Sequence, residues 1–204
     1  THDNLKELNE LNTIIYINEI EKKYQKFFKP VEKGRYTIKI VFSFSIKDCS
    51  FMFSNCSRIT KIDFSKFSTK KITDMKYMFY KCGNLQKLEL SNFHTNNVID
   101  MKYCFSYCEK IKSIKMNFNT SNVTNMAGMF MGCDNLSEFP ISSFNTQNVT
   151  SMKSMFEHCY AIKNIDIGNF DTKNVTDMSS MFLECNNLLK INGQTFDLKK
   201  LQNL

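Results

Sequence analysis

The chain of 204 residues lacks any apolar run of the roughly 20 residues that a membrane-crossing helix needs. Its most hydrophobic stretch, Tyr36 to Ile46, is interrupted by Thr37, Lys39 and Ser43 and reads as a strand. Arginine is nearly absent: Arg35 and Arg58 are the only two, so the net charge of +7 comes from lysines. Nucleic-acid grooves show dense Lys and Arg with exposed aromatics. The lysines here crowd between Lys6 and Lys39 and are scattered elsewhere, so no nucleic-acid partner is expected. The three histidines, His2, His94 and His158, form no HxxxH pattern, and the eight cysteines form no CxxC. No metal or other cofactor is therefore expected. The first residue is Thr1, expected of a chain that lost a leader or was excerpted from a longer one.

What is present is a core and a repeat. The apolar fraction, 42%, suits a packed interior. Cys56, Cys82, Cys108, Cys133, Cys159 and Cys185 follow one another at spacings of 26, 26, 25, 26 and 26 residues. The short interval has a local cause, since one residue is missing between Cys108 and Phe118 relative to Cys82 and Phe93. Other columns keep the same phase. Phe53, Phe79, Phe105, Phe130, Phe156 and Phe182 precede each Cys by three. Met75, Met101, Met126, Met152 and Met178 lie seven before it, and aliphatic residues such as Leu85, Ile111 and Leu136 three after. A second Phe column runs Phe67, Phe93, Phe118, Phe144, Phe170, Phe196, after which most repeats read Thr-x-x-Val. Self-similarity at such a period marks a solenoid or array.

Within one repeat, Leu88-Glu89-Leu90 alternates apolar and polar residues, which is strand spacing. Met75, Met78, Phe79 and Cys82 fall at i, i+3, i+4 and i+7, the spacing of one helical face. Thr73, Thr124, Thr150 and Thr176 stand where helix N-caps belong. Each coil is thus expected to run strand, turn, short helix, return. A lone coil does not balance: about six large side chains contribute around 12 kcal/mol on burial, while ordering its backbone costs about 25–50 kcal/mol. Such units stack, and their strands form a parallel sheet.

The run LxxLxLSxFxTxxVxxMxxMFxxC, seen from Leu85 to Cys108 with Cys104 at the second Met position, resembles the BspA-like leucine-rich repeats of bacterial and protist surface proteins. The resemblance covers Ile46 to Leu204. It implies an α/β leucine-rich-repeat solenoid, with a parallel sheet on the concave side and short helices on the convex side, used in adhesion. It supplies no catalytic residue. Residues 1–45 lack the repeat phase and are expected to form an N-terminal β-rich cap. There Tyr36 to Phe42 would serve as a zeroth strand of the same sheet and Ile14 to Ile17 would pair near it. Residues 46–204 are expected to hold about six repeats. Leu198, Leu201 and Leu204 then match positions of a seventh coil, so either the protein is expected to continue beyond residue 204 or a partner to cover this apolar face, and a structural subunit self-assembling through it is the alternative function.

The cysteines fill phased inward positions and are expected to be buried free thiols, with adjacent ones too widely spread on a helical outer side to bridge. No nucleophile leaves the packed phase, and no enzyme activity is expected. Three acidic strand residues, Asp63, Glu89 and Asp166, share a column with Lys115, Pro140 and Asn192. With the neighbouring column they define a polar face of Lys61, Asp63, Lys87, Glu89, Ser113, Lys115, Glu138, Asn164, Asp166 and Lys190. This face is the expected binding surface for a protein or glycan. Pro140 lacks an amide donor, so a break in the sheet is expected there. Phased NVT triplets at Asn122, Asn148 and Asn174 are glycosylation acceptors if the chain is secreted; turn and cap chemistry also explains them. The expected setting is a cell surface or the extracellular space, with the cytoplasm as the alternative.

Overall fold

The computed structural model describes residues 7–25, 29 and 31–192. These hold seven strands and no helix. The repeats do wind as stacked coils, but the expected helical side is something else.

The segments from Met75 to Cys82, and their equivalents in each coil, are chains of reverse turns. The Met78 N–H donates to the Met75 carbonyl at 3.2 Å and the Cys82 N–H to the Phe79 carbonyl at 3.0 Å. The third residue of each such turn is left-handed: Tyr77 at φ 56°, Lys81 at 58°, then Tyr103 and Tyr107 at 53° and 57°. That pattern is the mark of a type II turn. The intervening amides point along the stack. Met75, Tyr77, Phe79 and Lys81 donate to the carbonyls of Asp100, Lys102, Cys104 and Ser106 at 3.0, 2.9, 2.8 and 2.9 Å. Isolated parallel bridges from Asp48 through Asp74, Asp100, Asn125 and Ser151 to Asp177 continue the same ladder. Neighbouring coils on this wall are therefore spaced like strands, about 4.8 Å apart.

This overturns the expected α/β leucine-rich-repeat solenoid with convex helices. A succession of i to i+3 turns brings residues i, i+3, i+4 and i+7 to one side just as a helix does. Met75, Met78, Phe79 and Cys82 are all fully buried, so the apolar period is obeyed by both conformations. The Phe column decides between them. Rings of Phe79 and Phe105 stack with centroids 5.5 Å apart and planes within 4°, and Phe105 on Phe130 at 5.5 Å and 11°. Helices pack about 8–10 Å apart and would pull these rings out of contact. Thr150 and Thr176 accordingly cap nothing. Each donates both its N–H and its Oγ1 to the carbonyl one coil back, at 2.8 and 3.0 Å.

The strand side is shorter than expected. Strand β4 (Lys87–Leu90) pairs in parallel with β5 (Ser113–Met116), and β6 (Asn164–Asp166) with β7 (Lys190–Asn192). The coil between them, residues 138–140, carries Pro140 and forms no strand. A proline in the ladder removes a donor, and the sheet divides at that coil. Phe139 still faces inward and meets the rings of Phe130 at 5.3 Å and Phe156 at 5.0 Å. Strands and turn wall thus enclose one core between them.

A separate sheet is formed by β2 (Ile20–Lys22), β1 (Thr13–Ile17) and β3 (Ile38–Phe42), in that order and all antiparallel. The expected pairing of Ile14 to Ile17 near the segment Tyr36 to Phe42 is present, over residues 38–42. The expected zeroth strand is not: β3 pairs only with β1, not with the coils. Asn18 and Glu19, both left-handed at φ 48° and 69°, supply the primed two-residue turn that suits strand twist. The cap meets the stack where Phe42 packs edge-on against Phe67 at 5.9 Å. Phe27, Phe28, Pro30 and residues 193–204, with Leu198, Leu201 and Leu204, lie outside the described residues.

Candidate functional site

On the strand side the structure brings the expected face into register. Lys87 lies opposite Ser113, Glu89 opposite Lys115, Asn164 opposite Lys190 and Asp166 opposite Asn192. All of these are exposed except Ser113, which is half-buried. Glu89 and Lys115 form an ion pair at 3.7 Å. Lys61, Asp63 and Glu138 are exposed in the same columns but on segments without a ladder. The acids are tied back locally. Asp63 accepts the Ser65 N–H at 2.8 Å and Asp166 that of Gly168 at 2.9 Å, while Glu89 accepts from Ser91. These bonds hold Asp63 and Glu89 below the usual carboxylate range. They are anionic contacts, unlike a general acid, which needs a raised pKa.

The eight cysteines are free thiols, seven of them buried and Cys56 half-buried. Burial pushes Cys108 up to about 12 and Cys185 up to about 11. The thiols do more than fill space: Cys82, Cys108, Cys133, Cys159 and Cys185 each donate Sγ–H to a Phe carbonyl of the coil before, at 3.0–3.2 Å. The expected splaying of adjacent cysteines is corrected too, since the ladder holds this wall at strand spacing. Among the described residues no group of three His, Cys, Asp or Glu side chains is arranged to hold a metal.

The sequon asparagines are exposed, and each already has a structural partner. The Nδ2 atoms of Asn122, Asn148 and Asn174 donate to the carbonyls of Asn96, Ser121 and Gln147 one coil back, each at 2.7 Å. His94 is exposed. His158 is half-buried against Glu157 (Nε2 to Oε1, 3.4 Å) and Tyr160 (Nδ1 to the hydroxyl, 3.0 Å).

A second surface escaped the sequence reading. The outward residues of the turn wall in the first three coils assemble an aromatic cluster. Phe51 stacks on Tyr77 at 4.7 Å, and the Tyr103 ring lies against Tyr77 at 5.0 Å, tilted by 33°. Tyr80 meets Tyr77 and Tyr107 edge-on at 5.3 and 5.9 Å. The Lys81 ammonium lies over the rings of both Tyr80 and Tyr107, and that of Lys102 over Tyr103. Beneath the last two tyrosines the next coil has glycine. A Cβ on Gly128 would come 2.1 Å from the Tyr103 ring, and one on Gly132 2.7 Å from Tyr107. Left-handed backbone costs a non-glycine residue about 1–2 kcal/mol, and a ring pair returns about 0.5–1.5 kcal/mol. Coils four to six hold Gly128, Ser154 and Ser180 at the position of Tyr77, so the wall folds without rings. The readable signal was the glycine pair four apart in a supposed helix, and an aromatic column at the same period.

These coils, stacked through parallel ladders on two sides of one core, define a repeat protein of the solenoid class. The chain belongs to the family described as "Mycoplasma protein of unknown function, DUF285", which matches residues 47–138 and again 108–204. Comparison with curated proteins and with solved structures finds no match. No helix among the described residues is long and apolar enough to cross a membrane.

Proposed function

We propose that this chain is a non-enzymatic recognition module, carried at a cell surface or in an extracellular structure, that binds a protein or glycan through the exposed side of its strands. The observation that carries the reading is register. Lys87, Glu89, Ser113 and Lys115 stand in two columns on paired strands, one coil apart at about 4.8 Å. An extended partner meets a row of polar groups already fixed by the ladder beneath, so little ordering cost is left for binding. Chemistry finds little support in the repeats, because a thiol acts as a nucleophile only as thiolate and burial disfavours that form throughout the column. The likeness of the repeat sequence to the BspA-like surface proteins supports the setting.

The test is binding of the purified chain to an immobilised panel of glycans and extracellular-matrix proteins. The doubly substituted Lys87→Glu/Lys115→Glu chain serves as comparison, and its fold is checked by its melting temperature. Saturable binding that this variant loses is the expected result. Either no binding to any member of the panel or equal binding by the variant removes the proposal.

A further inference from the structure

We propose that the tyrosine–lysine cluster on the turn wall is a second binding site, distinct from the strand side, and that it takes an anionic polysaccharide. Four observations carry this. First, the site is built where stability does not ask for it: Tyr77 and Tyr103 occupy left-handed positions that the later coils fill with Gly128, Ser154 and Ser180.

Second, the polar groups there are engaged only weakly, the two ammonium groups over neighbouring rings and Lys102 also near the Asp100 carboxylate. Among the described residues the hydroxyls of Tyr77, Tyr80, Tyr103 and Tyr107 make no hydrogen bond, and neither Lys81 nor Lys102 forms a salt bridge within 4 Å. Burial raises the phenols of Tyr77, Tyr103 and Tyr107, so they remain donors at neutral pH.

Third, the backbone is spent. The wall amides of Tyr77, Phe79, Lys81, Tyr103, Phe105 and Tyr107 already donate to the next coil. A peptide cannot add to this surface as a strand, a mode that needs free main-chain groups. Fourth, the ring faces are covered. Tyr77 is sandwiched between Phe51 and Tyr103, Tyr103 lies against Gly128, and Lys81 sits over Tyr80 and Tyr107. Bases of single-stranded nucleic acid and uncharged sugars bind aromatics through those faces. What is offered instead is a row of phenol hydroxyls repeating at coil spacing, with the two ammonium groups of Lys81 and Lys102 outnumbering the one carboxylate, Glu157, that acts on Tyr103 and Tyr107. That suits a polymer of hydroxyl-rich rings bearing a carboxylate or sulfate on its units.

The experiment is calorimetric titration of the full chain with polygalacturonate and with heparin, using dextran and oligo-dT as uncharged-sugar and nucleic-acid comparisons. Polygalacturonate and heparin distinguish carboxylate from sulfate as the anion. The expected result is binding of at least one of them, weakening as salt rises. Lys81→Gln/Lys102→Gln should weaken it about tenfold or more, and Tyr80→Phe/Tyr107→Phe about threefold, in proportion to lost charged and neutral hydrogen bonds. All variants should melt as the parent does. Absence of binding to both anionic polymers, or equal binding to dextran or oligo-dT, overturns the proposal. Loss of binding in Lys87→Glu/Lys115→Glu but not in the wall variants also overturns it, while leaving the strand-side reading intact.

Discussion

The Asp column illustrates how one coil position can be filled well or badly. Asp48, Asp74, Asp100, Asn125, Ser151 and Asp177 follow one another along the ladder, and each accepts the amide two residues on, as Asp100 does from Lys102 at 2.8 Å. Asn125 makes the same bond to Ala127 at 3.0 Å without a charge. Burial, with the Asp74 carboxylate adding to it, raises the Asp100 pKa, against the lowering effect of the Lys102 amide. A carboxyl whose folded pKa lies above its unfolded one stabilises the fold below the unfolded value, about 3.9, and that contribution is lost as pH rises through the folded value. Asp100→Asn should therefore raise the melting temperature by a few degrees at pH 7. The gain should vanish at acid pH, where both chains are neutral at this position. A variant less stable than the parent at pH 7 would contradict the burial assigned to Asp100. None of this is legible in the sequence, because Asp and Asn read alike as turn residues.

At the scale of the element, the turn wall is the unit that periodicity misjudged. The pattern Met75, Met78, Phe79, Cys82 reports only which side is buried, and a helix and a run of turns bury the same side. What separates them is where the amides go: to i−4 in a helix, alternately to i−3 and to the next coil here. Bonds to a residue about 26 positions away leave no local trace in composition. The local trace is the left-handed position, and it is visible only where glycine occupies it, at Gly128 and Gly132. The element predicts a sharp asymmetry. Gly128→Ala meets both a φ of +60° and the Tyr103 ring, and should cost about 2 kcal/mol or more. Ser180→Gly relieves a φ of 58° and should raise stability by about 0.5 kcal/mol, since glycine's greater unfolded-state freedom offsets part of the relief. Urea melts of both variants decide the matter. Were Gly128→Ala neutral, the close approach of Tyr103 would be wrong.

For the whole molecule, stability accumulates coil by coil. Successive coils hold to one another through the Phe and Cys columns and buried Thr residues such as Thr120, which donates to the Asn145 carbonyl at 2.8 Å. Local opening should then be easier in the first coil, beside the cap, than in the middle coils. Amide exchange is expected to be slowest at Phe105 and Phe130 and faster at Phe53, one coil from the cap; uniform exchange rates would refute nearest-neighbour stacking. The phase of twenty-six was enough to find the Phe, Met and Cys columns and the interruption at Pro140, because burial repeats wherever a coil repeats. It also located the polar columns of the strand side, since alternation settles which residues of a strand face outward. The conformation of the wall, the detachment of the cap sheet and the meeting of Tyr80 with Tyr107 were decided by tertiary structure alone. Each depends on hydrogen bonds and ring contacts between successive coils, and no window along the chain contains both partners.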